Sequence, residues 1–253
     1  MPADQPISPG AQPVPPGGPS VPPGGPSVES AAESTGESAV ELPPTGYRIL
    51  LPSEWAQVPL RHGTEDAVRR ILDEAYARIP ADAPRDKIGP YKRELERRFR
   101  ASVAEAQRGK GLDLYLPVKP MGDFNVGASI LVSESLVPRR PGQPREAAEP
   151  TEVAVQLLSR DGRDDVTDAD LSSGEIDGAL AVRREHVADA APGKGAELAS
   201  RRVEYILSVP ADPDRWFVAA FSTVGGGDPR DELAEALVEW FDAVMANFRW
   251  SRA

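Results

Sequence analysis

The sequence predicts an α+β domain in which an antiparallel sheet is packed by helices and preceded by an unstructured tail. Apolar residues recur at helical spacing between residues 64 and 109 and again after residue 228. Between these segments the spacing approaches two, and Pro, Gly and Asp interrupt it. Because no helical pattern separates the central strands, consecutive strands should pair antiparallel, as a meander between helices in an α/β/α sandwich.

The first 45 residues differ from the rest in composition. Residues 14–27 are two copies of Val-Pro-Pro-Gly-Gly-Pro-Ser, and the flanking residues are mostly Pro, Gly, Ser, Ala and Glu. Such a segment cannot bury enough apolar surface to offset its chain entropy, so we predict a disordered tail at 1–45 and one folded domain at 46–253. Two P-x-x-P spacings, Pro16 with Pro19 and Pro23 with Pro26, suit an aromatic peptide-binding groove. The Gly-Gly pairs between them favour a plain spacer.

The domain is predicted to begin with a strand and two helices. An apolar run at Tyr47–Pro52 predicts the first strand, with Trp55 packed behind it. Thr64 precedes two acids that suit the positive end of a helix dipole, so a helix is predicted from there to the proline at position 80. A second helix is predicted from residue 89 to residue 109, because Pro90 is tolerated best in a first turn.

The remaining elements are six strands and a last helix. The strands are predicted at Leu112–Val118, Asn125–Ser133, Glu152–Ser159, Ile176–Arg184, Glu197–Val209 and Arg215–Thr223. Asp228 is the predicted N-cap of the last helix, and Pro229 is its first residue. Its apolar positions continue to Phe248, so this face is expected to be core, with the acidic face solvated.

Residue types that carry catalysis are scarce. Cysteine is absent, which excludes a thiolate nucleophile, a disulfide and a zinc–thiolate site. His62 and His186 lack neighbours at the spacing of a metal site or a catalytic triad. We expect His62 in a loop and His186 on the surface at a strand end, and we predict no catalytic, cofactor-binding or metal-binding residue.

Two stretches resemble known sites without matching them. Gly225-Gly226-Gly227 precedes a helix start, where backbone N–H groups attract phosphate, but Arg230 interrupts G-x-G-x-x-G and Asp228 puts a carboxylate at the anion position. A connecting loop is the favoured interpretation. The acidic stretch Asp161–Asp170 lacks the glycine and glutamate of an EF-hand, which favours a solvated loop.

The charge balance indicates which partners are excluded. The net charge is −11, and the tail contributes Asp4, Glu29, Glu33, Glu37 and Glu41 without a base. This balance opposes attraction to nucleic acid, which we do not expect as a partner. In the locally basic second helix, Arg93, Arg97 and Arg100 lie one turn apart with acids interleaved. Glu94–Arg98 and Glu96–Arg100 are i,i+4 ion pairs, which favours an exposed face over a docking stripe for an acidic partner.

Targeting signals are not found in the sequence. No apolar run reaches the length of a membrane span, so none is predicted. The N-terminal residues lack both the basic and apolar regions of a signal peptide and a cysteine for lipidation. A cytoplasmic location is therefore expected.

Several short motifs point to a family. They are Leu51-Pro52-Ser53-Glu54-Trp55, Val209-Pro210, Trp216, Phe221-Ser222-Thr223, Trp240-Phe241-Asp242 and Phe248-Arg249-Trp250. Together they resemble the PsbP-like α/β/α sandwich group, in particular the LpqN-related actinobacterial family and its relatives beside type VII secretion genes. The resemblance covers residues 45–253 and implies a scaffold that binds proteins or small ligands, usually without catalysis. Lipoprotein members carry an export signal and a lipidated cysteine, which are not found here, and no family active-site motif carries over.

These observations predict a non-catalytic binding or accessory protein that has a protein partner and is associated with a type VII-like secretion system. Two alternatives stay open. One is a small-ligand sensor with its pocket between sheet and helices, for which a stabilising metabolite would be the sign. The other is a hydrolase or transferase that uses acidic loop residues such as Asp164, Asp165 and Asp168.

Overall fold

The structure, a computed structural model, describes residues 42–121, 126–137, 157, 170–192 and 196–252. Its strands are β1 (Gly46–Arg48), β2 (Trp55–Pro59), β3 (Gly111–Pro117), β4 (Ala128–Leu136), β5 (Asp170–Ile176), β6 (Ala179–Ala188), β7 (Ser200–Val209), β8 (Asp212–Thr223) and β9 (Arg249–Ser251). The described helices are α1 (Thr64–Ala77), α2 (Arg85–Arg108) and α3 (Glu232–Ala246). The predicted tail lies almost wholly outside these residues.

Seven strands form one antiparallel sheet in the order β2-β3-β4-β8-β7-β6-β5. The order shows two meanders, β2-β3-β4 and β5-β6-β7-β8, which are joined because β4 pairs with β8. A separate two-stranded ribbon pairs β1 with β9. The predicted α+β class and antiparallel sheet are confirmed, and the meander is interrupted once.

Helices cover both faces of the sheet. Successive residues of a strand point to opposite faces, so Leu114 and Tyr115 of β3 belong to different hydrophobic clusters. Leu114 packs in the cluster of α1 and α2, whereas Tyr115 packs in the cluster of α3. On the α3 side, Phe241 is fully buried together with Phe221 of β8. This arrangement confirms the predicted α/β/α layering.

The prediction of a single strand at Ile176–Arg184 is wrong. The chain reverses at Asp177 and Gly178, which have φ angles of 48° and 76° and form the turn between β5 and β6. Two positive φ angles define a type I′ turn, for which Asp-Gly is a favoured pair. The predicted strand runs across the Asp-Gly turn signal because the alternating pattern continues on both sides of it. β5 was therefore not predicted as a separate strand.

The ends of the domain also differ from prediction. Of the first predicted strand, only Gly46–Arg48 is paired, and its partner is β9 rather than the main sheet. Trp55 begins β2, which was not predicted. The last helix ends at Ala246, and the chain then enters β9 instead of continuing as helix to Phe248.

The predicted start of α2 is corrected, and that of α1 is confirmed. α2 begins at Arg85 rather than residue 89, because the carbonyl of Pro84 accepts the backbone N–H of Lys87 at 3.0 Å and of Ile88 at 3.2 Å. Pro90 therefore lies inside the helix. The start of α1 at Thr64 is confirmed.

The remaining strand predictions differ in their outcome. The strand at Leu112–Val118 is confirmed as β3, and those at Glu197–Val209 and Arg215–Thr223 are confirmed as β7 and β8 with ends shifted by up to three residues. The strand predicted at Asn125–Ser133 is found as β4, displaced toward the C-terminus. The one predicted at Glu152–Ser159 lies outside the described residues except for Leu157, which is helical and packs against the cluster of Trp216.

The N-cap of α3 is Asp231 rather than Asp228. Asp231 Oδ1 accepts the N–H of Ala234 at 2.7 Å, and its Oδ2 accepts the N–H of Gly226 at 2.7 Å. Asp228 instead accepts the N–H of Arg230 at 2.9 Å in the preceding turn. The one carboxylate thus ties the glycine loop to the helix.

We expect Asp231→Ala to lower the free energy of unfolding, because it removes both the cap of α3 and the contact to Gly226. Asp231→Asn is the matched control, since Asn caps a helix about as well as Asp. Urea titrations monitored by circular dichroism give both values. Equal losses in the two variants would contradict this role.

Candidate functional site

An open groove of about 600 Å³ lies between β5 and the C-terminal half of α3. Its floor is formed by β6 and β7. Its lining includes Ser172, Gly174, Arg183, Tyr205, Asp242 and Arg249. The groove therefore lies at the edge of the sheet, on the face that α3 covers.

Small side chains on β5 keep the groove open. Ser172 lies opposite Arg183 and Gly174 opposite Ala181 in the β5–β6 pairing. Directly opposed residues share a face, so Ser172 and Gly174 point to the α3 side. A Cβ placed on Gly174 would meet no atom within 4 Å. This position can therefore accept a larger side chain into the groove.

The floor carries a bidentate ion pair between Arg183 and Asp242. Arg183 Nε donates to Asp242 Oδ1 at 2.9 Å, and its Nη2 donates to Oδ2 at 2.9 Å. The hydroxyl of Tyr205, directly opposite Arg183 in the β6–β7 pairing, donates to the same Oδ1 at 2.9 Å. Two parallel bonds and a third donor fix the orientation of the carboxylate.

The ion pair continues along the sheet toward the start of α3. Arg183 Nη2 also donates to Glu185 at 2.6 Å, and Glu185 accepts from Arg201. Arg201 in turn donates to Glu235 in the first turn of α3 at 2.6 Å. Three acids alternate with two arginines along this row, so each acid has at least one arginine partner and one negative charge is left over. We call these residues, with Tyr205 and Asp242, the charge network.

In the charge network, the pKa values of Tyr205, Glu185 and Arg183 lie further from neutral pH than the usual values of these groups. Burial, and then the hydrogen bond to Asp242, raises the pKa of Tyr205. Burial alone would raise the pKa of Glu185, but hydrogen bonds from Arg183 and Arg201 outweigh it and lower that pKa. Burial alone would lower the pKa of Arg183, but hydrogen bonds to Asp242 and Glu185 raise it instead. A general acid or base works best with a pKa near the operating pH, which these three groups lack.

A second cavity of about 310 Å³ lies beside the β1–β9 ribbon. The hydroxyl of Tyr47 donates to Asp113 and lies 3.3 Å from the hydroxyl of Tyr115. Gln57 Nε2 donates to Asp113 Oδ1 at 2.8 Å. Burial raises the pKa of Tyr47 above its usual range and that of Tyr115 to about 12. Both phenols therefore stay protonated at neutral pH.

The lining of this second cavity also includes two arginines that share one acid. Arg61 Nη2 lies 2.9 Å from Glu134 Oε2, and Arg215 Nη1 lies 3.4 Å from Glu134 Oε1. Phe217 and Trp250 add aromatic surface to the same lining. Polar groups and apolar walls thus converge, as in many small-ligand sites.

The two histidines differ in how they match prediction. His62 lies in the loop before α1, as predicted, and lines the second cavity, which the sequence did not indicate. His186 lies within β6, opposite Arg202, and is partly buried. The prediction that it ends a strand on the surface is therefore wrong, because β6 continues to Ala188.

The structure describes the glycine loop and only the last residue of the acidic stretch. At the glycine loop, the carboxylate of Asp231 accepts the N–H of Gly226, whereas that of Asp228 accepts the N–H of Arg230. Residues 161–169 of the acidic stretch lie outside the described residues, including Asp164, Asp165 and Asp168, and Asp170 begins β5. In the part of the chain that is described, no three His, Asp or Glu side chains are grouped to hold a metal ion.

The ion pairs predicted on α2 are confirmed. Glu94 accepts from Arg97 at 2.8 Å and from Arg98 at 2.6 Å. Arg100 donates to Glu96 at 2.9 Å and reaches Glu65 of α1. These pairs satisfy most of the arginine charge on this face.

Sequence reasoning missed the charge network. The acidic face of the last helix is predicted to be solvated, and Asp242 is one of its acids, yet this residue lies four residues after Val238 and three before Met245, both buried. That spacing places it at the margin of the apolar stripe, facing the sheet. Arg183 and Glu185 alternate along β6, which indicates a shared face. No local pattern shows that these two elements meet.

Neither a protein family nor a curated protein matches this chain. Among solved structures, it is similar to LpqN of Mycobacterium tuberculosis, described as involved in cell envelope biogenesis. The alignment has 10% identity and a TM-score of 0.39, and it covers 82% of this chain and 86% of the other. This is a coarse likeness in fold and says nothing of function.

Within the described ranges, no helix combines the length and the apolar character needed to cross a bilayer.

Proposed function

We propose that this chain is a non-catalytic binding protein whose ligand occupies the groove between β5 and α3. The observation that carries this proposal is the fixed Asp242 carboxylate at the groove, which is held by two hydrogen bonds from Arg183 and one from Tyr205. Groups that hold one protonation state across the neutral range supply fixed charges and hydrogen bonds rather than proton transfer. Such a preorganised floor lowers the ordering cost of binding.

The dimensions and lining of the groove support the same proposal. Its volume of about 600 Å³ falls within the range of about 300–1,000 Å³ that is typical of ligand sites. Ile176, Ala181 and Ala246 contribute apolar surface, and Asp242 contributes a carboxylate that is 35% exposed. A ligand with an apolar body and one polar or charged group matches this lining.

Gly174→Leu tests the groove directly. Leucine at this strand position fills space that is empty and does not require a positive φ, so the variant should fold. Compounds or peptides from a thermal-shift screen that bind the groove should stabilise the wild type, by about 2.7 kcal/mol at 100 times Kd, and not stabilise Gly174→Leu. Leu171→Ala, on the opposite face of β5 and outside the lining of the groove, is the control and should respond as the wild type does.

Two outcomes would contradict groove binding. A screen in which nothing stabilises the wild type would leave the groove without a ligand. Equal stabilisation of the wild type and Gly174→Leu would place the ligand elsewhere. Turnover of a screened compound, abolished by removal of a groove residue, would contradict the non-catalytic assignment.

A more specific form of this proposal is that the chain is an accessory protein of a type VII-like secretion system. The family motifs given in the sequence analysis support it. If it is correct, deletion of the gene should reduce the amount of WXG-type substrate exported by the host, and the chain should restore it. Unchanged export would contradict the secretion role while leaving groove binding in place.

A small-ligand sensor is a second candidate, and the convergence of Arg61, Glu134 and Arg215 on the second cavity favours it. Arg61 is 57% exposed, so Arg61→Ala should cost little stability. A ligand of this cavity should stabilise the wild type and Gly174→Leu alike but should lose affinity for Arg61→Ala. Equal affinity for all three proteins would contradict this candidate.

A further inference from the structure

The outer edge of β5 is open to pairing. Every residue of β5 except Ile176 is exposed, and among the described strands β5 has a neighbour only in β6. Natural edge strands are commonly protected by Pro, Lys or a bulge, but β5 contains no Pro or Lys, and its register with β6 is unbroken. The backbone along this edge can therefore accept another strand.

The hairpin geometry shows which backbone groups are available. In a two-residue hairpin, the pair that flanks the turn, here Ile176 and Ala179, exchanges both hydrogen bonds. Because bonded and non-bonded pairs alternate along an antiparallel ladder, the N–H and C=O groups of Leu171, Ser173 and Glu175 point away from β6. An added strand would pair with these three residues and direct alternate side chains toward the groove.

The uncompensated charge along this edge is negative. Asp170 and Glu175 of β5 make no ion pair with any described residue. Asp242 is bound by Arg183, but 35% of its side chain stays exposed in the groove. The groove arginines are already engaged: Arg183 by Asp242 and Glu185, and Arg249 by Asp177 at 3.8 Å and the carbonyl of Ala246 at 3.2 Å. The groove also lies at the C-terminal end of α3, where the helix dipole is negative.

We propose that β5 binds an extended basic segment of a partner protein as an additional strand, with a Lys or Arg side chain of that segment placed in the groove. This proposal rests on the proposed binding function and specifies the chemistry of its ligand. Backbone pairing supplies affinity, and the acidic groove selects the cationic side chain. A second copy of this chain would bring the same acids to the interface and is disfavoured.

Two labelled peptides of alternating pattern test the proposal by fluorescence anisotropy. The basic probe is Thr-Lys-Val-Lys-Val-Lys-Thr, and the control replaces each Lys by Glu. The basic peptide should bind the full chain, more weakly as salt rises, and the acidic one should not bind. Gly174→Leu should weaken binding at least tenfold by blocking the groove.

The backbone contribution is tested separately. Ser173→Pro removes an outward N–H without disturbing the ladder to β6, and it should also weaken binding at least tenfold. Ser173→Ala retains the N–H and should bind as the wild type does. In the wild type, the basic peptide should slow amide hydrogen exchange at Leu171, Ser173 and Glu175, a readout that does not depend on the folding of any variant.

Several results would overturn the proposal: no binding of the basic peptide, equal binding of both peptides, or unchanged affinity in Gly174→Leu and Ser173→Pro. A wild type that sediments as a dimer, with Ser173→Pro monomeric, would assign the edge to a second copy instead. If the peptides fail but a small compound still stabilises the wild type and not Gly174→Leu, groove binding stands. If no ligand does so, both proposals fail.

Discussion

Phe241→Ala is expected to lower the free energy of unfolding by about 3–5 kcal/mol, the usual cost of removing a buried aromatic ring. Phe241 is fully buried in the middle of α3. Its ring stacks on Phe221 of β8 with centroids 4.9 Å apart and meets the edge of Tyr205 at 5.8 Å. The ring therefore joins the helix to two central strands, and the cavity left by alanine cannot close without moving them.

Urea unfolding followed by tryptophan fluorescence measures this loss. Leu136→Ala is a suitable control because Leu136 is 69% exposed, and it should change stability by less than about 0.5 kcal/mol. Phe241→Leu should fall between the two, since it removes less volume. A loss below about 1 kcal/mol for Phe241→Ala would mean that α3 does not anchor the sheet as described.

Elements with a sustained local pattern could be predicted from the sequence. The helical spacing in α1 and the alternation in β3, β7 and β8 reflect one face packed against a core, and that constraint repeats every few residues. The boundaries of α2 and α3 were less accurate, because caps depend on single hydrogen bonds, such as that from Ala234 to Asp231.

Features that depend on distant contacts could not be predicted. β1 is three residues long and exists because β9 pairs with it across most of the chain. The candidate groove has the same origin, since Arg183 and Asp242 are separated by 59 residues and meet only when α3 packs on the sheet. The hairpin of β5 and β6 is different, because Asp177 and Gly178 gave a local signal that was available in the sequence.

Because α3 contributes to both the core and the groove, the stability of the fold and the binding of a groove ligand should be linked. Phe241 of α3 is buried in the core, and the next residue, Asp242, lines the groove. A ligand that contacts Asp242 therefore acts on a position fixed by the core. Changes in the core near Phe241 are expected to weaken groove ligands as well as the fold.

Arg183→Met should lower the free energy of unfolding at pH 7 by about 2–4 kcal/mol. Methionine keeps the apolar part of the side chain but leaves Asp242 and Glu185 without a shared partner. Breaking a fully buried pair typically costs about 3–5 kcal/mol, and the exposure of Asp242 allows solvent to offset part of this. Arg69→Met, which removes a 71% exposed arginine 3.9 Å from Asp66, should change stability by less than about 0.5 kcal/mol.

The loss in Arg183→Met should also depend on pH, because Arg183 helps to lower the pKa of Glu185. The unfolded carboxylate, with a pKa of about 4.3, takes up its proton before the folded one does. Stability from this difference is therefore complete above about pH 5 and is lost as the pH falls through the lowered folded pKa. Urea titrations between pH 7 and pH 3 should show the gap between wild type and variant narrowing as the pH falls. A gap that stays constant over this range would mean that Arg183 stabilises the fold by packing alone, without acting on the charge of Glu185.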